Sequence, residues 1–405
     1  MLFVCNTPEH DKGRYVDPRV PIHLMTRQSI LVVTRNFPPL TGGMERLMQH
    51  SVETLASQYD VTLIGPSGCS EFAPANVAVI ECPLSPFSFL AMALLKGLRF
   101  RGNASFDLVL GGSGLVAPVT WFISRITNAR SFIFVHGLDL VVDNVVFQWF
   151  FVPFIRRHDC VIANSQNTRE IAIGKGCQSG QVKVVNPGSS IPPKSLLLDA
   201  ARSREKLGFE GKKIILFVGR MVRRKGLTEF LENAWSRIVA AEPDAVLLVA
   251  GDSPDDALMK DPDGATRLLQ AIERHGQETA HFLGTVGDET LWNCYAAAEA
   301  LVFPLIRVSG DVEGFGMVAI EAAANGTPTV AFPVGGVVDA VADGENGVLV
   351  SEGDYEAFAD AVVAICRGGP PSRKVCRTHA ENFSWEAHGQ KLLAALDLRA
   401  GASSQ

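Results

Sequence analysis

The chain has no run approaching about 18 uninterrupted apolar residues, so hydropathy supplies no membrane-spanning helix. Its opening, Met1 to Asp17, holds Glu9, Asp11 and Lys12 and lacks the apolar centre of a signal peptide. Eight cysteines occur without a Cys-x-x-Cys pair or zinc-like clustering, which excludes the common thiolate metal sites. Reduced, structural thiols in a cytoplasmic setting are expected, with Cys160 and Cys366 in apolar company. No Gly-x-Gly-x-x-Gly opens either half, which argues against a dinucleotide-dependent redox enzyme. The literal Asp-x-Asp is Asp261-Pro-Asp263, just before a helical pattern, where capping is the better reading than a metal. Positive charge is also scarce: the formal net charge is −6, with no hint of a nucleic-acid partner. Its distribution is uneven. Residues 1–200 carry 17 Lys and Arg against 14 Asp and Glu; the remainder carries 20 against 29. A mildly basic first half suits an anionic acceptor or lipid surface.

What is present is 405 residues, 47% hydrophobic and 20% charged, enough for two globular domains. Ser29 to Thr34 is an apolar run followed by a Pro/Gly loop and a helical pattern from Glu45 to Ser57. Further strand-like runs follow at 61–64, 108–110, 132–135 and 160–163, and in the second half at 214–218, 246–250, 280–283, 301–303 and 329–332. Strands spaced by helices predict two α/β domains, each a doubly wound parallel sheet, facing a central cleft. Residues 25–195 and 210–375 are the expected domains, parted where Pro187-Gly-Ser-Ser and Pro192-Pro193 break periodicity. Residues 1–24 precede the first strand and read as an extension; 376–405 hold a last helix, about Ser384 to Leu398, and a tail.

Four motifs carry chemistry. Glu313 and Glu321 bracket Gly314-Phe315-Gly316 and the start of a helix, Met317 to Ala324, that ends at Asn325-Gly326. A phosphate suits the free amides and positive dipole end of that helix start. Glu321 lies roughly 7–8 Å further along, at about 1.5 Å per residue, within reach of an adjoining sugar. Two carboxylates eight apart also arise on solvated helix faces, and the glycines and the preceding strand decide against that. Gly42 and Gly43 follow the first strand, where adjacent glycines admit close backbone approach to a ligand or simply a tight turn. Arg220 and Lys225 leave the Ile214–Val218 strand in a basic loop, where Arg clamps phosphate oxygens and Lys supplies a point charge. Arg223 and Arg224 in the same loop read as a solvated charge run. His136, followed by Gly137 and Asp139, ends a strand, the edge where open α/β sheets bind ligands. A lone histidine is more often structural.

These phrases together resemble the retaining glycosyltransferases of family 4, the "group 1" transferases of GT-B fold. The resemblance rests on Glu-x7-Glu, Gly-Gly-x-Glu, Gly-Arg-x4-Lys-Gly and His-Gly-x-Asp and covers about residues 29–398. Asn186-Pro187-Gly188 departs from the more usual Pro-Asn-Gly order. Asn164-Ser165 and Glu170 resemble a family-typical Ser-x4-Glu and read as scaffold. The resemblance implies that His136 and Glu313 are catalytic and orient the donor sugar, and that Glu321 holds ribose. Arg220 and Lys225 would hold the diphosphate, with Gly42, Gly43, Asp139, Gly314, Phe315 and Gly316 completing the donor site. It further implies retention of anomeric configuration and a nucleotide diphosphate sugar as co-substrate. No other cofactor is expected, and no metal, because two phosphate-binding cations and a helix terminus already provide what one would. The last helix would cross back onto the first domain. Asp311-Val-Glu-Gly-Phe-Gly leans toward mannosyl- and related hexosyltransferases of cell-envelope polysaccharide, lipopolysaccharide or glycolipid synthesis. The acceptor would be a lipid-linked or other saccharide. Two very apolar stretches ending in basic residues, Pro86 to Arg101 and Val145 to Arg157, suit peripheral contact with the cytoplasmic face of an anionic inner membrane; core packing is the plainer reading. The alternatives are a non-catalytic sugar-nucleotide-binding protein and a sugar-nucleotide epimerase on the same fold.

Overall fold

The computed structural model describes residues 27–101, 106–192, 198–251, 267–268, 270–276 and 278–397; residues 1–24 and Asp261-Pro-Asp263 lie outside them. Seven parallel strands form the first sheet: β1 (Ser29–Val33), β2 (Asp60–Pro66), β3 (Ala78–Cys82), β4 (Leu108–Gly111), β5 (Arg130–Val135), β6 (Cys160–Ala163) and β7 (Val182–Val184). Their order is β3-β2-β1-β4-β5-β6-β7. Six more form the second sheet: β8 (Lys213–Val218), β9 (Ala245–Ala250), β10 (Ala280–Gly284), β11 (Ala298–Phe303), β12 (Thr329–Ala331) and β13 (Gly347–Leu349), ordered β10-β9-β8-β11-β12-β13. Both sheets reverse direction of winding once, between β1 and β4 and between β8 and β11. These are the switch points where doubly wound sheets hold ligands beyond their strand ends.

The central strands are continuous apolar runs because helices cover both faces. In β1, Ile30 and Val32 enter one core cluster while Leu31 and Val33 enter the other, the alternation a strand imposes. Each such side chain contributes about 1.5–3 kcal/mol on burial. The helices Gly43–Gln58 and Trp385–Leu396 pack together on one face, and Leu392 and Leu396 complete the first domain's core. The chain's last helix therefore belongs structurally to its first sheet. Three strands have no counterpart in the sequence reading: β3, β7 and β13. All three are sheet edges, short or half-exposed, so they lack the apolar run that betrays a central strand.

The two domains meet through specific contacts. The Asp339 carboxylate accepts from the Gln166 amide at 2.9 Å and from Asn186 Nδ2 at 3.2 Å, so one acid ties the second domain to the first and to the linker. Asn186 also accepts from the buried His388 at 2.9 Å, fixing the last helix beside the linker. The seven described cysteines are buried and free; burial pushes the Cys69 thiol up to about 12. Among the described residues no helix is long and apolar enough to cross a membrane.

Candidate active site

The cleft lies where the strand ends of the two sheets face each other. On the first-domain side β5 delivers His136, which is buried and stacked over Phe134. Its Nε2 lies 2.8 Å from the Gly112 carbonyl beyond β4. A carbonyl only accepts, so Nε2 carries the proton and Nδ1 is the other ring nitrogen left to serve a ligand. Asp139 fixes this turn: one carboxylate oxygen accepts from the His136 amide at 3.1 Å, the other from the Gly114 amide at 2.8 Å. The side chain expected at the donor is thus committed to joining the loops after β4 and β5.

The second domain presses its Asp311–Gly316 loop directly onto that turn. A Cβ at Gly314 would lie 2.3 Å from the His136 carbonyl oxygen, so only glycine permits the approach. Glu313, beside it, is held by Lys225 Nζ at 2.8 Å and by Arg224 Nη1. Arg224 Nε in turn donates to Asp311 at 3.0 Å. Burial raises the Glu313 carboxyl, but Lys225 and Arg224 outweigh it and hold the group at about 2. Burial likewise pulls Lys225 down to about 8 against the opposing pull of Glu313. Its ammonium also lies over the Phe303 ring at 4.5 Å. Two cations, Arg224 and Lys225, thus meet two carboxylates, Asp311 and Glu313. Arg220, exposed at the end of β8, has no ion-pair partner among the described residues.

Two helix starts meet at the same place. Gly42 precedes the helix Gly43–Gln58, and Gly316, at φ 99°, precedes the helix Met317–Ala324. Neither has a side-chain cap, whereas helices beginning after Ser165, Asp199, Asp354, Ser372 and Ser384 all do. Gly43 lies against the Met317 thioether, so the two uncapped, positive helix ends are neighbours across the cleft. Residues 199–383 match the family Glycosyl transferases group 1, and residues 41–190 match Glycosyltransferase Family 4.

The chain is a group 1, family 4 glycosyltransferase.

A D-inositol 3-phosphate glycosyltransferase of Kribbella flavida is 29% identical to it over 339 residues, 78% of this chain and 76% of the relative. A protein of the same name from Mycobacterium tuberculosis is 33% identical over 247 residues, 58% of this chain and 48% of the relative. In fold it is similar to Anabaena Alr3699/HepE in complex with UDP and glucose, with TM-score 0.70 and 20% identity over 92% of this chain and all of that one. Sucrose-phosphate synthase from Thermosynechococcus elongatus gives TM-score 0.72 and 23% identity over 93% of this chain and all of that one. The GT-B architecture of two facing α/β domains is therefore the transferase's own.

Glu321 of the transferase projects from the second turn of its helix and accepts from the buried Tyr295 hydroxyl at 2.7 Å. Arg46, on the first helix of the opposite domain, reaches it at 3.6 Å and Asp288 at 2.8 Å. Tyr295 and Arg46 were not singled out from the sequence. Tyr295 is an ordinary position in an amphipathic helix, and Arg46 matters only because the cleft closes beside it. One expectation is corrected. Arg224 is not solvated; it is buried between Asp311 and Glu313, because the loop turns inward as a short helix at 223–225. The Phe315 side chain is in the core against Phe383. Glu45, third after Gly42, accepts from Asn36 at 2.9 Å and so fixes the glycine loop. Ser165 caps the helix Gln166–Gly174, and Asn164 sits against the His136–Gly314 junction. Among the described residues no group of three or more His, Cys, Asp or Glu is placed to hold a metal ion.

Proposed function

We propose that this cleft moves a hexosyl group from a nucleotide diphosphate sugar to an acceptor hydroxyl with retention, using protein cations in place of a metal. The observation that carries the reading is two uncapped helix starts in contact at one point, with the buried Lys225 over the Phe303 ring that faces Gly316 and the unpaired Arg220 in the loop that holds Lys225. That point suits the diphosphate, whose charge grows as the bond from the anomeric carbon to its oxygen breaks. Fixed positive groups there stabilise the transition state more than the ground state. Glu313, held at about 2, is a permanent acceptor for sugar hydroxyls and too weak a base to take a proton near neutrality. His136 would orient the same sugar from the opposite wall, with Asp139 positioning its turn. Glu321, oriented by Tyr295, would take the ribose hydroxyls. The acceptor oxygen then bonds the anomeric carbon on the face the diphosphate leaves, and the departing phosphate oxygen receives the acceptor proton.

For the acceptor, a lipid-linked or other saccharide hydroxyl of cell-envelope synthesis is the primary reading, with a mannosyl donor leading the panel. The relatives' named acceptor, D-inositol 3-phosphate, is the second. The test incubates UDP-, GDP-, ADP- and dTDP-hexoses with each acceptor in EDTA and reads the product's anomeric configuration by NMR. A product with the donor's configuration supports the proposal. An inverted product, a requirement for divalent cation, or isomerised donor without transfer refutes it.

A further inference from the structure

On the sheet face opposite the last helix, the first domain carries an apolar surface turned outward. Helix Pro86–Leu98 buries Phe89, Ala93 and Gly97, yet its opposite stripe, Phe87, Leu95 and Leu98, is exposed, with Phe87 87% open. The stripe follows helical spacing, so both faces of this helix are apolar while the domain covers only one. The neighbouring helix Ala117–Thr127 adds Phe122, and the segment before Val152–Ile155 adds Val145, Val146, Trp149 and Phe150, with Trp149 82% exposed. These elements stand side by side: Gly97 packs on Ile123, and Trp121 meets Phe154 at 5.4 Å. Isolated exposed hydrophobics are ordinary; a set on adjoining elements marks an interaction surface.

The charge in these segments is basic, although the exposed Asp143 flanks Val145 and Glu81 lies beside Lys96. Residues 83–101, 108–138 and 144–158 contain no Asp or Glu in a chain whose net charge is −6. Besides Arg130, which lies over Phe132 in the core of the other sheet face, they contain Lys96, Arg99, Arg101, Arg125, Arg156 and Arg157. None of the six makes an ion pair with a carboxylate among the described residues. Arg125 and Arg157 lie over the Trp121 ring, each 5.7 Å from its centre, which keeps both guanidinium groups at the aromatic surface.

We propose that this face of the first domain docks on an anionic phospholipid bilayer. Phe87 and Trp149 enter the boundary between headgroups and acyl chains, and the arginines meet lipid phosphates. Apolar anchors with a predominantly basic rim match that surface in both polarity and charge. The chain passes from the carboxyl ends of β3 and β5 into these two segments, so docking brings the bilayer alongside the sheet edge that carries His136. The proposal rests on the transferase reading only in this last respect: a lipid-linked acceptor would meet the cleft without leaving the membrane.

The test is cosedimentation of the full chain with vesicles of phosphatidylcholine alone, or mixed in equal parts with phosphatidylglycerol, at low and high salt and without donor. Wild type should partition to the anionic vesicles, less so at high salt. The double substitution Phe87→Ser and Trp149→Ser should weaken partition by about tenfold or more, with an unchanged melting temperature. Arg156→Glu with Arg157→Glu should weaken it on anionic vesicles alone. Failure to partition, partition indifferent to lipid charge, or partition unchanged in both variants would overturn the docking surface. So would a wild-type dimer in sedimentation equilibrium that Phe87→Ser with Trp149→Ser converts to monomer without any vesicle binding. Because vesicle binding needs no donor, failure here leaves the transferase reading untouched, and failure of the donor panel leaves the docking surface untouched.

Discussion

On its first-domain wall the cleft presents a histidine bonded to a backbone carbonyl, a carboxylate saturated by two amides and an uncapped helix start. On its second-domain wall it presents Arg220, Arg224 and Lys225 beside Asp311 and Glu313, with Arg224 and Lys225 buried. The sheets behind the walls follow the same doubly wound plan, each with its switch point at the cleft. Architecture is thus shared and chemistry is not. Charge concentrates on one side, where it is expensive to bury and so must be mutually compensated. The other side supplies backbone groups, one imidazole ring and a carboxylate already bonded to two amides. Fold places a site; the side chains at its strand ends decide what that wall contributes.

The walls should therefore break differently. Glu313→Ala leaves Arg224 and Lys225 buried without their common partner and should cost about 3–5 kcal/mol in denaturant unfolding, together with transfer activity. His136→Ala on the opposite wall removes one hydrogen bond to a backbone carbonyl and should cost only about 1 kcal/mol of stability while still lowering turnover. Equal destabilisation by the two would end the distinction between walls. Arg220→Ala should do the converse of Glu313→Ala, lowering kcat/KM by about 100- to 1,000-fold with the unfolding free energy nearly unchanged. Gly314→Ala should wedge the walls apart, costing about 1–3 kcal/mol through the clash with His136 and lowering transfer. Tyr295→Phe frees Glu321 from its orienting hydroxyl; about tenfold in donor KM with kcat retained is expected from steady-state kinetics.

The charged wall also has a pH signature. Glu313 folds with its carboxyl at about 2 against 4.5 unfolded, so its contribution is complete above pH 4.5 and is lost as pH falls toward 2. Lys225 runs the other way. With about 8 folded against 10.5 unfolded, its buried charge costs stability below pH 8, and that cost fades as pH rises from 8 to 10.5. Unfolding free energies across both windows should flatten at the acid end in Glu313→Gln and at the alkaline end in Lys225→Met.

Much of this arrangement was legible in the sequence because central parallel strands are unbroken apolar runs and because glycines punctuate their ends. The helix Met317–Ala324 has the bounds its sequence implies, since Gly316 and the Asn325-Gly326 pair fix both ends locally. Edge strands β3, β7 and β13 escaped because a half-exposed strand carries no such run. Arg224 escaped for a different reason. Adjacent arginines look alike in sequence, and only the inward turn of residues 223–225 separates the buried one from its exposed neighbour. Arg46 and Asp339 act across the cleft, over sequence separations that no local pattern encodes. The apolar helix Pro86–Leu98 read most simply as core; the structure makes it half core and half surface.

The account turns on the donor lying against the second wall, between Arg220 and Glu321. Calorimetric titration of UDP-, GDP-, ADP- and dTDP-sugars in EDTA, into wild type, Arg220→Ala and Glu321→Ala, tests it most directly. One nucleotide should bind wild type without metal and bind each variant at least about tenfold more weakly, the loss expected when a charge-assisted hydrogen bond is removed. Binding of that nucleotide with unchanged affinity to both variants, or binding that vanishes in EDTA, would contradict the account.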